Sequence, residues 1–221
     1  MNEAVTLHCA LAGRAILIFR NERVNDYNNI LWEKMPGVEH RYEAVNHVNI
    51  GEYAAAAEPF AVEYLPSICL ASIPPSSLRL KIGAPLIPIR NLSPMEGLCN
   101  GTKIRVVGIR RTGLEVAILG IMFDGMIRLL PRIKLTPTNE DLPFILERTE
   151  FPVRLCFAMT VYKSQGQSLH QVGVDLRTPT FTHGQLYVAL SRITSLDGLT
   201  LLRSEQSPSH TDNVVYPEVL H

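Results

Sequence analysis

Apolar runs and polar breaks divide this chain into three textures. Residues 11–19 form an apolar run, LAGRAILIF, that ends at Arg20, and Val24, Tyr27, Leu31 and Met35 then recur on one helical face until Pro36-Gly37. The pattern predicts a buried strand, an N-cap at Asn21 and a helix, with Arg20 at the carboxyl end of the strand, where open α/β sheets keep ligands. Residues 38–75 show no sustained period, and the punctuation at Glu58-Pro59-Phe60 and Ile73-Pro74-Pro75 predicts loops around a short helix. From Leu78 the texture becomes short β-branched runs at 78–82, 84–90, 103–109, 114–121 and 126–130, separated by Gly97, Gly101, Gly113 and Asp124-Gly125. Such strands with hairpin turns suggest a small barrel. After a Pro-rich connector the apolar run 155–159 and the strand patterns 171–176 and 199–202 restore the α/β texture. Two α/β pieces flanking a β piece imply one parallel sheet with an insertion.

The last third of the chain carries two polar clusters. The first, TVYKSQGQS at 160–168, leaves the end of the run 155–159. The second, THGQLYVALSR at 182–192, reads as a helix, since Leu186, Ala189, Leu190 and Ile193 repeat at i, i+3, i+4 and i+7. Thr182 and Gln185 have the spacing of a capping box, which starts the helix at His183. Seven residues separate Gln185 from Arg192 on that helix, so the two lie within about 20° of each other and off the apolar stripe. Both are therefore expected to face a cleft.

Those two clusters resemble motifs V and VI of superfamily one helicases, most closely the PIF/RecD-like DNA helicases and the copies carried by Helitron transposons. The strand-Arg20-helix unit is similar to motif IV. The stretch 80–85, LKIGAP, with Arg90-Asn91-Leu92, residues 97–102 and 130–133 resembles that family's inserted 2B domain. The resemblance implies a second RecA-like domain, a parallel sheet with flanking helices, interrupted by a small inserted β-barrel. Its boundaries would be 1–75 for the first part with its connector, 76–150 for the insert, 151–204 for the second part and 205–221 for a flexible tail.

The same resemblance implies the roles. Arg192 would be an arginine finger and Arg20 its assistant on the nucleotide phosphates; Gln165, Gly166 and Ser168 would line the nucleotide and hinge the cleft; Thr160, Tyr162, Lys163 and Ser164 would contact single-stranded DNA. The cofactor would be ATP with Mg²⁺, bound mainly by an N-terminal RecA-like domain supplied in cis or in trans. The implied process is 5′ to 3′ unwinding in repair, recombination or transposition.

Composition alters this picture at few points. Lysines and arginines number 21, as do aspartates and glutamates, so no bulk charge advertises a nucleic-acid partner. Cys9, Cys69, Cys99 and Cys156 are widely spaced, which favours free thiols in a reducing compartment over a metal site. Residues 114–123 are nearly apolar but far short of a membrane span, and Met1-Asn2-Glu3 lacks the basic start of a secretory signal. Nucleus or mitochondrion is expected for a eukaryotic source, cytoplasm otherwise. No G-x-x-x-x-G-K-[ST] occurs: Gly101-Thr102-Lys103 lacks the upstream Gly, and Glu140-Asp141 sits in the Pro-rich connector rather than ending a strand. The chain by itself is thus expected to hydrolyse no ATP. The competing reading is a truncated remnant that at most binds single-stranded DNA. A more distant one is an unrelated α/β enzyme with Lys163 and Ser164 as a nucleophilic pair.

Overall fold

The computed structural model describes residues 13–49, 62–68, 70, 72–120, 123–137, 144–205 and 210–219. Cys9, Cys69, Glu140-Asp141 and the ends of the runs expected at 11–19 and 114–121 lie outside them. Two compact units divide the chain: residues 1–35 with 155–221, and residues 36–154.

The first unit is built on a parallel sheet. β1 (Arg14–Ile18) lies between β12 (Ala158–Thr160) and β13 (Gln171–Asp175), and β14 (Leu199–Leu202) pairs with β13 at the edge. Ile16 is opposite Ala158 on one side and Gly173 on the other, so strands 142 and 157 residues apart in sequence are neighbours in space. The interruption of the sheet by an insertion follows directly. Leu17, Ile18, Met159, Val172 and Val174 are buried, as expected for strands covered on both faces.

α1 (Asn21–Lys34) follows β1. Its N-cap is Arg20 rather than Asn21, and Arg20 holds the extended backbone of a cap (φ −120°, ψ 139°) without a capping side-chain hydrogen bond. The expected stripe is in phase, with Val24, Tyr27 and Leu31 half-buried, but the fully buried positions are Asn28 and Trp32 beside it. Asn28 accounts for its burial through three hydrogen bonds. Its Oδ1 accepts from the Phe157 and Ala158 amides, each at 2.9 Å, and its Nδ2 donates to the Ala158 carbonyl at 3.1 Å. β12 is an edge strand, and Asn28 takes the place of a missing neighbour there.

The second unit is β-rich, as the hairpin pattern predicted. β6 (Lys103–Ile109), β7 (Gly113–Leu119) and β8 (Ile127–Pro131) form a meander, and β5 (Pro85–Pro88) and β11 (Val153–Leu155) extend its sheet beyond β6. The strand expected at 78–82 is β4 (Ser77–Leu80), and it pairs with β2 (His40–Glu43) instead of joining the meander. β3 (Val45–Asn49), β10 (Ile145–Glu150) and β9 (Ile133–Leu135) make a further antiparallel sheet. β2, β3 and β10 are absent from the sequence expectation because the β2–β4 and β3–β10 pairings join residues 34 to 104 apart, as in Glu43 opposite Ser77 and Val45 opposite Thr149. A 3₁₀ turn at Val62–Ser67 is the short helix expected in that region.

β10 buries Leu146, Arg148 and Glu150 on one face. Arg148 is satisfied by neutral oxygens: its guanidinium donates to Asn46 Oδ1 and to the carbonyls of Leu65, Ile68 and Pro74. Glu150 accepts from the Phe151 amide at 2.7 Å, and Arg132 stands 3.5 Å from its other oxygen. Burial pushes the Glu150 carboxyl above the usual carboxylate range despite these partners.

Candidate functional site

The residues singled out by sequence meet at the carboxyl edge of the parallel sheet in the first unit. β12 ends at Thr160, and a 3₁₀ turn, Val161–Ser164, carries the chain away from the sheet. Thr160 and Ser164 are buried, and the Ser164 hydroxyl donates to the Val161 carbonyl at 2.6 Å. Of the four residues expected to touch DNA, Ser164 thus turns its hydroxyl into the turn, and Thr160 is buried at its start without a capping side-chain hydrogen bond. Tyr162 and Lys163 are exposed. Gln165, Gly166 and Ser168 are exposed as well, and Gly166 turns the loop with φ +77°, a left-handed conformation natural to glycine.

The second cluster folds differently from its periodicity. α2 spans only Gln185–Leu190, and Gly184, with φ 75°, occupies its N-cap. Half of the capping box is present: Gln185 Oε1 accepts from the Thr182 amide at 3.3 Å and from the Phe181 amide at 3.0 Å. Thr182 does not cap; its hydroxyl pairs with Tyr162 Oη. Gln185 is fully buried and Arg192 lies beyond the helix end, so the two do not share an exposed face as expected. Tyr187 is the most exposed residue of the helix, with Leu190 exposed at its end. His183 does not begin the helix; its Nδ1 accepts from the Tyr216 amide at 3.0 Å, and the two rings stack with centroids 5.5 Å apart. With Thr180 Oγ1 donating to the Asp212 carbonyl, this docks residues 212–216 where a flexible tail was expected.

Arg192 binds the two clusters to each other. Its Nη1 donates to the Gln167 carbonyl at 3.3 Å, its Nε to the Val188 carbonyl at 3.1 Å and its Nη2 to Ser191 Oγ at 2.9 Å. The Leu169 amide donates to the Arg192 carbonyl at 2.8 Å, and a parallel bridge joins Leu169 to Ile193. Every side-chain partner of Arg192 in this set is a neutral oxygen, so its charge is oriented but not cancelled. Arg20 is in a similar state, with its guanidinium carbon 5.6 Å from the centre of the Phe181 ring. A cation at a helix N-cap adds to the positive end of the helix dipole, with Glu22 as the acid in the first turn. Both arginines thus suit an incoming anion.

A neighbouring cluster escaped the sequence reading. Asp175, at the carboxyl end of β13, is buried and accepts from Tyr27 Oη at 2.9 Å and from Arg177 Nε and Nη2, each at 2.9 Å, while Arg23 stands 3.7 Å away. Burial raises the Asp175 carboxyl, but the hydrogen bonds from Arg177 and Tyr27 outweigh it and leave the group below the usual range. The ion pair ties α1 to β13 and so fixes the start of α1, where Arg20 sits. Its sequence signal was the i, i+2 pair Asp175-Leu176-Arg177; the partner Tyr27 is 148 residues away. Among the described residues no group of three His, Cys, Asp or Glu side chains could hold a metal ion.

A family model, the 2B domain of DNA helicase Pif1, matches residues 63–109. The match is to PIF1-like DNA helicases. The human ATP-dependent DNA helicase PIF1 is 32% identical over 86% of this chain and 26% of its own length. PIF6 of Trypanosoma brucei is 28% identical over 89% of the chain and 24% of its own length. The chain thus spans about a quarter of the curated relatives it matches. Among solved structures, Pif1 of Candida albicans superimposes with a TM-score of 0.66 at 24% identity, covering 98% of this chain and 52% of that one. Bacteroides Pif1 bound to single-stranded DNA gives 0.65 at 20% identity, covering 94% and 44%. The structural likenesses bear on the fold alone: a mixed α/β architecture with a parallel sheet and a small β-rich insert. Sequence and fold agree with the C-terminal portion of a PIF1-like helicase.

Proposed function

We propose that this chain is the part of an ATP-dependent DNA helicase that closes on nucleotide held by another RecA-like lobe and grips single-stranded DNA beside it. One observation carries the reading: Arg192 is oriented by neutral oxygens at the junction of the 160–168 and 182–192 segments, with its charge uncancelled. In this role Arg192 places positive charge where it develops on a transferring phosphoryl group, and Arg20, resting on Phe181, adds a second cation. ATP with Mg²⁺ supplies the phosphoryl chemistry when the other lobe, in cis or in trans, holds it. Gln165, Gly166 and Ser168 form the exposed turn that yields as the cleft opens and closes. The DNA contacts narrow to Lys163 with phosphate and Tyr162 with a base or phosphate. The direction of travel is 5′ to 3′, and the process is repair, recombination or transposition. Residues 1–35 and 155–204 make the motor lobe and the β-rich unit its insert.

The test is a chimera in which this chain replaces the matching segment of human PIF1. Oligo-dT is expected to stimulate its ATP hydrolysis, and Arg192→Ala to lower the rate by about 10³-fold or more. Hydrolysis that survives Arg192→Ala would refute the assignment. The chain alone is expected to bind dT oligonucleotides weakly, and Lys163→Ala to reduce the salt slope of that binding by about 0.7. Binding without hydrolysis in the chimera would reduce the chain to a single-strand binder.

A further inference from the structure

Three of the proposed site residues meet through one buried side chain. Gln185 has no accessible surface, yet its carboxamide reaches in two directions. Its Oε1 accepts from the Phe181 and Thr182 amides, and its Nε2 donates to Tyr162 Oη at 3.1 Å. The orientation of the amide is fixed, because two N–H donors face one of its ends and only an oxygen accepts there. Phe181, held in this way, presents its ring to the Arg20 guanidinium. Thr182, held in the same way, pairs with the Tyr162 hydroxyl from its other side. Gln185 itself is the first residue of α2, whose last carbonyls orient Arg192 through Val188.

We propose that Gln185 is a positioning residue that sets Arg20, Tyr162 and Arg192 in one geometry, so that a displacement of Tyr162 is felt at both arginines. The functional weight of this proposal rests on the reading above; the geometry does not. A buried amide that meets two backbone donors and one hydroxyl is a stiff junction, since breaking any one bond strands a polar group without water. The three residues it sets are all near the surface, and Phe181 itself is 48% exposed. The capping-box spacing of Thr182 and Gln185 therefore serves the site as well as the helix start.

The experiment follows the Arg20 Nε–H cross-peak in NMR spectra of the full chain, assigned by its loss in Arg20→Lys. Phe181→Leu removes the ring current and gives the position of an unstacked Arg20. Gln185→Leu is expected to move the cross-peak to that same position, and Gln185→Glu, which keeps the accepting oxygen, to hold it at the wild-type position. The Phe181 and Thr182 amides of the unaltered chain are expected to exchange slowly, which tests the junction even where Gln185→Leu does not fold. A folded Gln185→Leu chain with an unmoved cross-peak would overturn the proposal, as would fast exchange at both amides or equal displacement in Gln185→Glu and Gln185→Leu. Titration with dT12 separates the two readings. Unaltered dT12 binding with an unmoved cross-peak removes the positioning role and leaves the proposed function. Absence of dT12 binding with a displaced cross-peak removes the function and leaves the junction.

Discussion

Replacing Asn28 with Ala tests whether one helix side chain holds the edge strand that leads into the site. The change deletes three hydrogen bonds, those from the Phe157 and Ala158 amides and that to the Ala158 carbonyl. At a net of about 1 kcal/mol each the loss is about 3 kcal/mol. All three orphaned groups belong to buried residues, and the methyl of Ala brings no replacement, so this figure is a lower bound. Against a total stability of about 5–15 kcal/mol for a domain, that is a large share. The assay is built into the chain: Trp32 is its single tryptophan, it is buried, and it sits one helical turn after Asn28. Urea unfolding followed by Trp32 fluorescence therefore reports the unit under test. A midpoint that falls at unchanged slope gives the loss directly. A loss below about 1 kcal/mol would refute the assignment, since it would mean that water or a strand shift satisfies β12 without the helix.

Two further outcomes follow. Gly166→Ala meets no atom within 4 Å of an added Cβ, but φ is +77° there, so the loss comes from backbone conformation alone, about 1 kcal/mol by urea unfolding, and Gly166→Asn should lose less. Glu150 has a raised folded pKa, so the folded chain holds its proton at a pH where the unfolded chain has released it. Stability from this group therefore falls as pH rises from the unfolded carboxylate pKa through the folded one. Thermal melts from pH 4 to 7 should show that decline in the unaltered chain relative to Glu150→Gln; parallel profiles would place the carboxyl in a solvated environment.

Much of the candidate site was legible because its chemistry is local. The polar stretch 160–168 was read as leaving the end of a buried strand, and the turn Val161–Ser164 does follow β12 directly. Ser164 and Gln185 read as solvent-facing for a common reason: polarity in a sequence suggests solvent, whereas these two side chains find buried partners. Arg148 and Glu150 hid β10 in the same way, since an alternation whose inward positions are charged reads as surface.

The sequence by itself determined the elements whose apolar period is written into consecutive residues: β1, the phase of α1, the meander from Lys103 to Pro131, β13 and β14. It also determined, through its order of textures, that a β-rich piece interrupts one parallel sheet. Only the tertiary structure decided the partners. β12 lies beside β1 across the whole insertion, Asn28 reaches its edge, Tyr27 reaches Asp175, and Gln185 gathers Phe181, Thr182 and Tyr162. The physical reason is that burial is a property of side chains and can be read one stretch at a time. A hydrogen bond needs its second member, and in this chain the second member can be 158 residues away, as the Gly13 carbonyl is from the Gln171 amide.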